Sequence, residues 1–227
     1  MLKRTIQFLS LLLAIAGIIN QAHAGGIALG STRVIYPRGS KQVSLPVINS
    51  SENNVFLIQS WVANADGSRS SDFIITPPLF VIQPKKENTL RIMYIGPSLP
   101  TDRESVFYLN SKAIPSVDKT RLANNSLQIA TQSVIKLFIR PADLSVPSAN
   151  APAMLRCHSQ NGRLIVTNPS PYYVSLVEIH AGSRKLPNAM VAPKSELTLQ
   201  SSESRVPFQT VNDFGATTPV QTCQSQS

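Results

Sequence analysis

The sequence predicts an all-β protein with two β-sandwich domains behind an N-terminal export signal. Short runs in which apolar and polar residues alternate dominate the 227-residue chain after residue 24, and turn-forming residues separate these runs. Prolines interrupt the pattern once, shortly after residue 140. The first 24 residues differ from the rest, because an apolar stretch there lies between a positive start and a small-residue end.

Residues 1–24 have the features of a signal peptide. Lys3 and Arg4 are positive, residues 6–19 are almost entirely apolar, and Ala22 and Ala24 place small side chains where a signal peptidase reads. The apolar run is shorter than the about 20 residues that cross a membrane. We therefore expect cleavage before Gly25 and a released product without stable membrane insertion.

Seven candidate strands make up the first domain and fit a sandwich of the immunoglobulin type. They cover residues 42–47, 55–62, 73–76, 79–82, 89–95, 106–112 and 127–139. Turn sequences such as Ala65-Asp66-Gly67-Ser68 separate them. Trp61 has no flanking pair of cysteines, so we do not expect the core disulfide of antibody domains.

A proline-rich stretch marks the predicted end of the first domain. Pro141, Pro147 and Pro152 follow the last long run. Strand signals then return at 163–167, 173–180 and 196–200. We therefore predict domains at residues 25–143 and 144–227, and we find no internal repeat in the sequence.

Composition and motifs favour a binding protein over an enzyme. The formal net charge of +9 falls to +7 when Lys3 and Arg4 leave with the signal, and the other cations form no run typical of nucleic-acid binding. His158 and His180 stand alone, and we find no metal-ligand spacing, nucleophile elbow or phosphate-binding glycine loop. We expect acidic protein partners, with no nucleic acid, metal, cofactor or catalytic residue.

Cys157 and Cys223 are the two cysteines of the chain. In an oxidising compartment an even pair favours one disulfide, which would join the start of the second domain to its tail. A free buried thiol is the alternative. A redox pair is disfavoured because no Cys-x-x-Cys sequence occurs.

The last strand of the first domain is predicted to be long, at about 11 residues. Leu127, Ile129 and Thr131 share one of its faces. The strand either packs on the core as the last strand of a sandwich or forms a free edge that pairs with a partner strand. The residue pattern alone favours the core.

Arg33 and Lys136 are two cations that the sequence places far apart. Most such residues are solvated surface charges. A pair that converged between the two domains would instead bind a carboxylate through charge-assisted hydrogen bonds. The sequence leaves both interpretations open.

Eight segments, in order along the chain, resemble the PapD-like periplasmic pilus chaperones, and the resemblance is closest to those of type 1-like fimbriae. These segments are 27–37, 59–62, 73–80, 88–92, 102–110, 135–141, 167–173 and 212–215. The resemblance implies two immunoglobulin-like domains in an L or boomerang shape. It also implies a periplasmic chaperone of the chaperone-usher pathway, which binds, folds and caps pilus subunits by donor-strand complementation and delivers them to an outer-membrane usher for fimbria assembly.

The resemblance assigns roles to the residues singled out above. Arg33 and Lys136 would anchor the C-terminal carboxylate of a pilus subunit. Leu127, Ile129 and Thr131 would lie along the donor strand that enters the subunit's incomplete sandwich. Thr131 departs from the larger aliphatic residue usual in relatives, so we expect a shallower fit in that subunit pocket.

The resemblance also implies an interdomain salt-bridge network of Glu104, Arg140 and Asp213, which would fix the angle between the domains. The segment 111–126 matches the short form of the loop before the donor strand, which implies an assembler of rod-like pili. Whether the free chaperone self-associates stays open. The rival interpretations are an exported adhesin or fibre subunit and a secreted hydrolase on a β scaffold.

Overall fold

The computed structural model describes residues 25–116, 129–201, 203 and 205–225. The predicted signal peptide at 1–24 and Leu127 of the predicted donor strand lie outside these residues. Within them nearly all regular structure is β-strand, which confirms the predicted all-β class. No helix in this part of the chain is long and apolar enough to cross a membrane.

Nine strands of the described chain, up to Arg140, build the first sandwich. They are β1 (Ile27–Leu29), β2 (Arg33–Pro37), β3 (Val43–Asn49), β4 (Phe56–Ala63), β5 (Phe73–Thr76), β6 (Leu79–Ile82), β7 (Glu87–Tyr94), β8 (Ser105–Pro115) and β9 (Thr131–Arg140). One sheet has the strand order β1-β3-β7-β5 and the other β2-β9-β8-β4-β6. Alternate residues point into the core between the sheets, so that Leu45 and Val47 are buried while Ser44 is exposed.

The second sandwich follows a 3-10 helix at Ser148–Met154. Its strands in the described chain are β10 (Arg156–Gln160), β11 (Arg163–Asn168), β12 (Val174–Val177), β13 (Ile179–Ala181), β14 (Arg184–Leu186), β15 (Ala189–Val191), β16 (Ser195–Leu199), β17 (Gln209–Thr210) and β18 (Gln224–Ser225). They form the sheets β16-β11-β10-β18 and β15-β12-β17 and the hairpin β13-β14. Their buried side chains form a second hydrophobic cluster, distinct from that of the first sandwich.

The structure differs from the strands predicted from the sequence in three places along the chain. Residues 27–37 form β1 and β2, which were not predicted because each is short and the chain turns between them at Gly30, where a Cβ would collide with Pro46. The predicted strand at 173–180 is interrupted by Glu178, whose φ of 48° is incompatible with extended backbone. The loop predicted to begin at residue 111 begins later, since β8 continues to Pro115.

The two sandwiches share one buried polar motif, a structural repeat that was not predicted from the sequence. Asn49 and Asn168 are both 0% exposed, and each side-chain oxygen accepts hydrogen bonds from the amide and hydroxyl of the serine two residues later, Ser51 or Ser170. Each side-chain nitrogen contacts three backbone carbonyls: those of Asn54, Ile82 and Gln83 for Asn49, and those of Tyr172, Val191 and Ala192 for Asn168. The motif therefore fastens one loop to a neighbouring strand end in both domains.

A disulfide joins Cys157 to Cys223, as predicted, and excludes the free-thiol alternative. Cys157 lies in β10, and the two residues after Cys223 form β18, which runs parallel to β10 at the edge of the sheet. The disulfide therefore holds the C-terminal tail against the edge of the second sandwich.

Candidate functional site

Arg33 and Lys136 lie side by side between the two domains. β2 and β9 run parallel, and their register pairs the Cα atoms of these two residues. Paired residues project from the same face of a sheet, and this face is turned toward the second sandwich. Arg33 Nη1 donates a hydrogen bond to the Val211 carbonyl at 3.1 Å, and Lys136 Nζ donates one to Ser175 Oγ at 3.4 Å. The two cations thus converge in an interdomain cleft.

Both cations are partly desolvated, and neither forms an ion pair with a described residue. Burial lowers the pKa of Arg33, and the charge of Asp213 offsets this only in part. Burial, and then the adjacent charge of Arg33, lower the pKa of Lys136. Arg33 Nε is buried and has no hydrogen-bond acceptor among the described residues. An anion bound here would accept hydrogen bonds from both side chains and reduce their mutual repulsion.

Strand β9 has an open edge directly beside these cations. β8 pairs with β9 from Thr131 to Ile139, whereas β2 pairs with its other edge only from Lys136 to Arg140. Within the described residues no strand pairs with that edge between Thr131 and Ile135. Its backbone N–H and C=O groups are therefore available to a further strand.

The two halves of β9 have different environments. Leu137 and Ile139 are buried in the first hydrophobic core, and Ile135 packs partly against it. Thr131 shares their face but is exposed, and Ile129, two residues before it, is 66% exposed. The second half of the strand thus belongs to the core and the first half extends beyond it, so both interpretations of the sequence pattern apply to one strand.

Arg140 connects the two domains through charged hydrogen bonds. Its Nε donates to Glu104 Oε1, and its Nη1 and Nη2 donate to the two carboxylate oxygens of Asp213, each at 2.7 Å. The Tyr173 amide donates to Glu104 Oε2, and the Ser148 hydroxyl donates to Asp213 Oδ2, both at 2.9 Å. Because Asp213 and Tyr173 belong to the second sandwich, these bonds cross the domain boundary.

The pKa shifts of this network follow from burial and pairing. Burial raises the pKa of Glu104, although Arg140 and the Tyr173 amide lower it in part. Burial alone would lower the pKa of Arg140, but hydrogen bonds to Asp213 and the charge of Glu104 raise it above its usual value. Hydrogen bonds from Arg140 lower the pKa of Asp213. Arg140 therefore stays charged, and Asp213 is the carboxylate that its pairing holds ionised.

Four further residues of the cleft were not predicted from the sequence. Ser175 and the Val211 carbonyl accept hydrogen bonds from the two cations, and neither carries a signal of its own in the sequence. The Arg33 guanidinium lies 5.8 Å from the centre of the Phe138 ring, which in turn packs on Tyr173. Phe138 and Tyr173 both fall within segments that carried the family resemblance.

Comparisons with known proteins match both parts of the chain to one family. Residues 26–145 match the PapD N-terminal domain of pili and flagellar-assembly chaperones. Residues 150–222 match the C-terminal domain of the pili assembly chaperone PapD. The two matches follow each other in chain order and together cover most of the sequence.

Individual relatives agree with these matches. The chaperone protein FimC of Escherichia coli O6:H1 is 48% identical over 216 residues, which cover 93% of this chain and 90% of that protein. The crystal structure of the periplasmic chaperone SfaE matches with a TM-score of 0.78 and 43% identity, covering 88% of this chain and 100% of that one. The structure of the Salmonella enterica SafA pilin in complex with the SafB chaperone matches with a TM-score of 0.78 and 29% identity, covering 87% and 95%.

Family, fold and relatives agree on the class of protein. Two sandwich domains in this order are found in the described chain, and the chain aligns with pilus chaperones over nearly its full length. Members of this family are non-enzymatic chaperones, in agreement with the prediction from the sequence. This chain belongs to the PapD-like family of pilus assembly chaperones.

Proposed function

We propose that this chain is a periplasmic chaperone that binds, folds and caps pilus subunits by donor-strand complementation and delivers them to an outer-membrane usher. One observation carries the proposal: Arg33 and Lys136, which form no ion pair within the described part of the chain, lie beside the edge of β9 that no described strand covers. A partner with a free C-terminal carboxylate and an unpaired strand would use both features at once.

The cation pair anchors the terminal carboxylate of the subunit. A free C-terminal carboxylate occurs once in each chain, so binding it fixes the register of every residue before it. Lys136 lies seven positions after Ile129, which at about 3.3 Å per residue is about 23 Å of strand. The anchored subunit strand therefore lies alongside the exposed half of β9 with a defined register.

The open edge supplies the strand that the subunit lacks. A subunit without its last strand exposes unpaired backbone groups and apolar core, which favours aggregation. Backbone groups from Thr131 to Ile135 pair with the subunit, while Leu127, Ile129 and Thr131 fill its groove. Thr131 fills less of its pocket than a larger aliphatic residue would.

The network of Glu104, Arg140 and Asp213 sets the angle between the two domains, residues 25–143 and 144–227. In an L-shaped arrangement this angle decides how far the second sandwich lies from the two cations. Arg33 contacts Val211 and Lys136 contacts Ser175 across the domain boundary, so the position of the second sandwich affects both cations.

The proposed location and partners rest on further observations. Residues 1–24 direct export to the periplasm and are then removed. In this oxidising compartment Cys157 and Cys223 form their disulfide. The matching SafB–SafA complex supports a pilus subunit as the partner. The short segment between β8 and β9 favours subunits of rod-like pili, and the usher follows from the family's pathway.

Co-purification from the periplasm tests the proposal. The chain is co-expressed with a pilus subunit of the same bacterium, and the amount of subunit bound to each purified variant is measured. Arg33→Ala and Lys136→Ala each remove one charged partner of the carboxylate, and we expect either to weaken binding at least about 30-fold.

Arg91→Ala is the matched control, because Arg91 is an exposed cation in β7, on the other sheet of the same sandwich. It should retain the subunit at the wild-type level. Retention of the subunit by both cleft variants would contradict the proposal, and a stable homopolymer of the chain would instead indicate a fibre subunit.

A further inference from the structure

We propose that Phe214 is an apolar contact for the pilus subunit next to the site of its terminal carboxylate; this inference rests on the function proposed above. Among the large apolar side chains of the described residues, Phe214 has the highest exposed fraction, at 93%. An aromatic ring exposed to solvent offers a large apolar area that a partner could bury. Aromatic side chains of this kind are enriched at the energetic centres of protein interfaces.

The turn that carries Phe214 is held rigidly. Asn212 Oδ1 accepts hydrogen bonds from the amides of Phe214 and Ala216, both at 3.0 Å, and the Asn212 carbonyl accepts one from Gly215 at 3.0 Å. Asp213, the residue before Phe214, is bound by Arg140. The ring is therefore presented from a fixed backbone, which lowers the entropic cost of binding through it.

The same turn is fixed to the first sandwich on its other side. Gly215 has a φ of 84°, and a Cβ at this position would overlap the hydroxyl of Thr32. Only glycine combines this backbone conformation with so close an approach. Thr32 is the residue directly before Arg33, so the turn lies against the start of β2.

This position places Phe214 on the path of the proposed subunit strand. The open edge of β9 begins where β2 starts at Arg33, because β2 occupies the same edge from that point onward. A strand that pairs with the open edge and ends at Arg33 therefore arrives beside Thr32 and the turn. Phe214, Phe138 and Arg33 also line one interdomain cavity of 280 Å³. The expected occupant is an apolar side chain near the C-terminus of the subunit.

Peptide binding tests the inference with a defined probe. The probe is a fluorescein-labelled synthetic peptide that carries the last strand of the co-expressed subunit, prepared with a free C-terminal carboxylate and, separately, as the C-terminal amide. Fluorescence anisotropy gives the Kd for each chaperone variant. We expect Phe214→Ala to weaken binding of the free-acid peptide at least about tenfold.

Two variants control for apolar area and for folding. Phe214→Leu retains an apolar side chain and should bind with intermediate affinity. Val220→Ala removes another exposed apolar side chain of the second sandwich, 66% exposed, and should leave the Kd unchanged. Since Phe214 is so exposed, the Tm of Phe214→Ala should equal that of the wild type.

The outcomes separate this inference from the function on which it rests. If Arg33→Ala and the amide both weaken binding while Phe214→Ala binds like the wild type, this inference is wrong and the proposed function stands. If the wild type does not prefer the free acid, or does not bind the peptide, the proposed function fails and this inference fails with it. If Phe214→Ala abolishes self-association in sedimentation and leaves the Kd unchanged, the ring serves a second copy of the chain, which overturns the inference.

Discussion

Replacing Arg140 with alanine would leave Glu104 buried and without its main partner. The side chain of Glu104 is 2% exposed and that of Arg140 is 19% exposed. Removing one member of a buried ion pair costs about 3–5 kcal/mol. The Asp213 side chain, at 32% exposed, contributes less because water screens its charge. We therefore expect Arg140→Ala to lower the free energy of unfolding by about 3–5 kcal/mol.

Urea denaturation with two probes measures this effect. Trp61 is the only tryptophan of the chain and lies in β4, so its fluorescence reports the first sandwich, whereas far-UV circular dichroism reports both. In the wild type we expect the two signals to change together. Because the bonds of Arg140 cross the domain boundary, Arg140→Ala should both lower the midpoint and separate the two transitions.

Arg103→Ala is the matched control for the loss of an arginine. The Arg103 side chain is 42% exposed and pairs with its neighbour Asp102, so its replacement should change the free energy of unfolding by less than about 0.5 kcal/mol. A loss for Arg140→Ala no larger than that of the control would refute the reasoning. Coincident transitions with an unchanged midpoint would refute it as well.

Four further sets of variants have expected outcomes. Asn168→Ala leaves several buried backbone groups unpaired and should lower the free energy of unfolding by about 3 kcal/mol in urea denaturation. Replacing Cys157 and Cys223 together with serine should cost about 2–5 kcal/mol, and dithiothreitol should then have no further effect. Hydrogen bonds from Arg140 lower the pKa of Asp213 below its ordinary value, so the stabilisation from this carboxylate is present above that ordinary value and is lost as pH falls through the folded pKa. Asp213→Asn should therefore remove this acid-dependent loss when the free energy of unfolding is measured against pH. Thr131→Ile should leave subunit binding in co-purification equal or tighter, and markedly weaker binding would count against the proposed donor register.

Alternation and turn chemistry predicted most of the first sandwich. The predicted strands at 55–62, 73–76 and 79–82 differ from the observed ones by at most one residue at either end. Each is a run of mostly apolar residues bounded by turn-forming residues such as Pro77-Pro78, so local pattern and tertiary packing agree. β1 was missed because three residues carry too little periodicity to be separated from a loop. β2 was missed because its last two residues belong to the turn-forming sequence Tyr36-Pro37-Arg38-Gly39.

The second sandwich was predicted less well because local backbone conformation overrides its patterns. Glu178 divides an apparently continuous run, and its positive φ has no signal in the residue types around it. β10 was not predicted, although it lies in the interior of a sheet and contains Cys157 of the disulfide. Its sequence Arg156–Gln160 is mostly polar because only Cys157 in it is buried.

Predicting the cleft required information that the residue pattern of one sequence does not contain. Arg33 and Lys136 are about 100 residues apart, and their meeting is a consequence of the parallel register between β2 and β9. Family resemblance supplied that pairing in advance. The accepting groups of Ser175 and Val211 come from the second sandwich, and their positions depend on the interdomain contacts that only the folded chain defines.

The central claim is that Arg33 and Lys136 hold the terminal carboxylate of a subunit while the open edge of β9 pairs with its last strand. A crystal structure of the chain bound to a pilus subunit tests both parts. We expect the terminal carboxylate oxygens within about 3 Å of nitrogens of both cations, and backbone hydrogen bonds along Thr131 to Ile135. A subunit whose C-terminus lies outside the cleft, or a complex in which this edge stays unpaired, would contradict the claim.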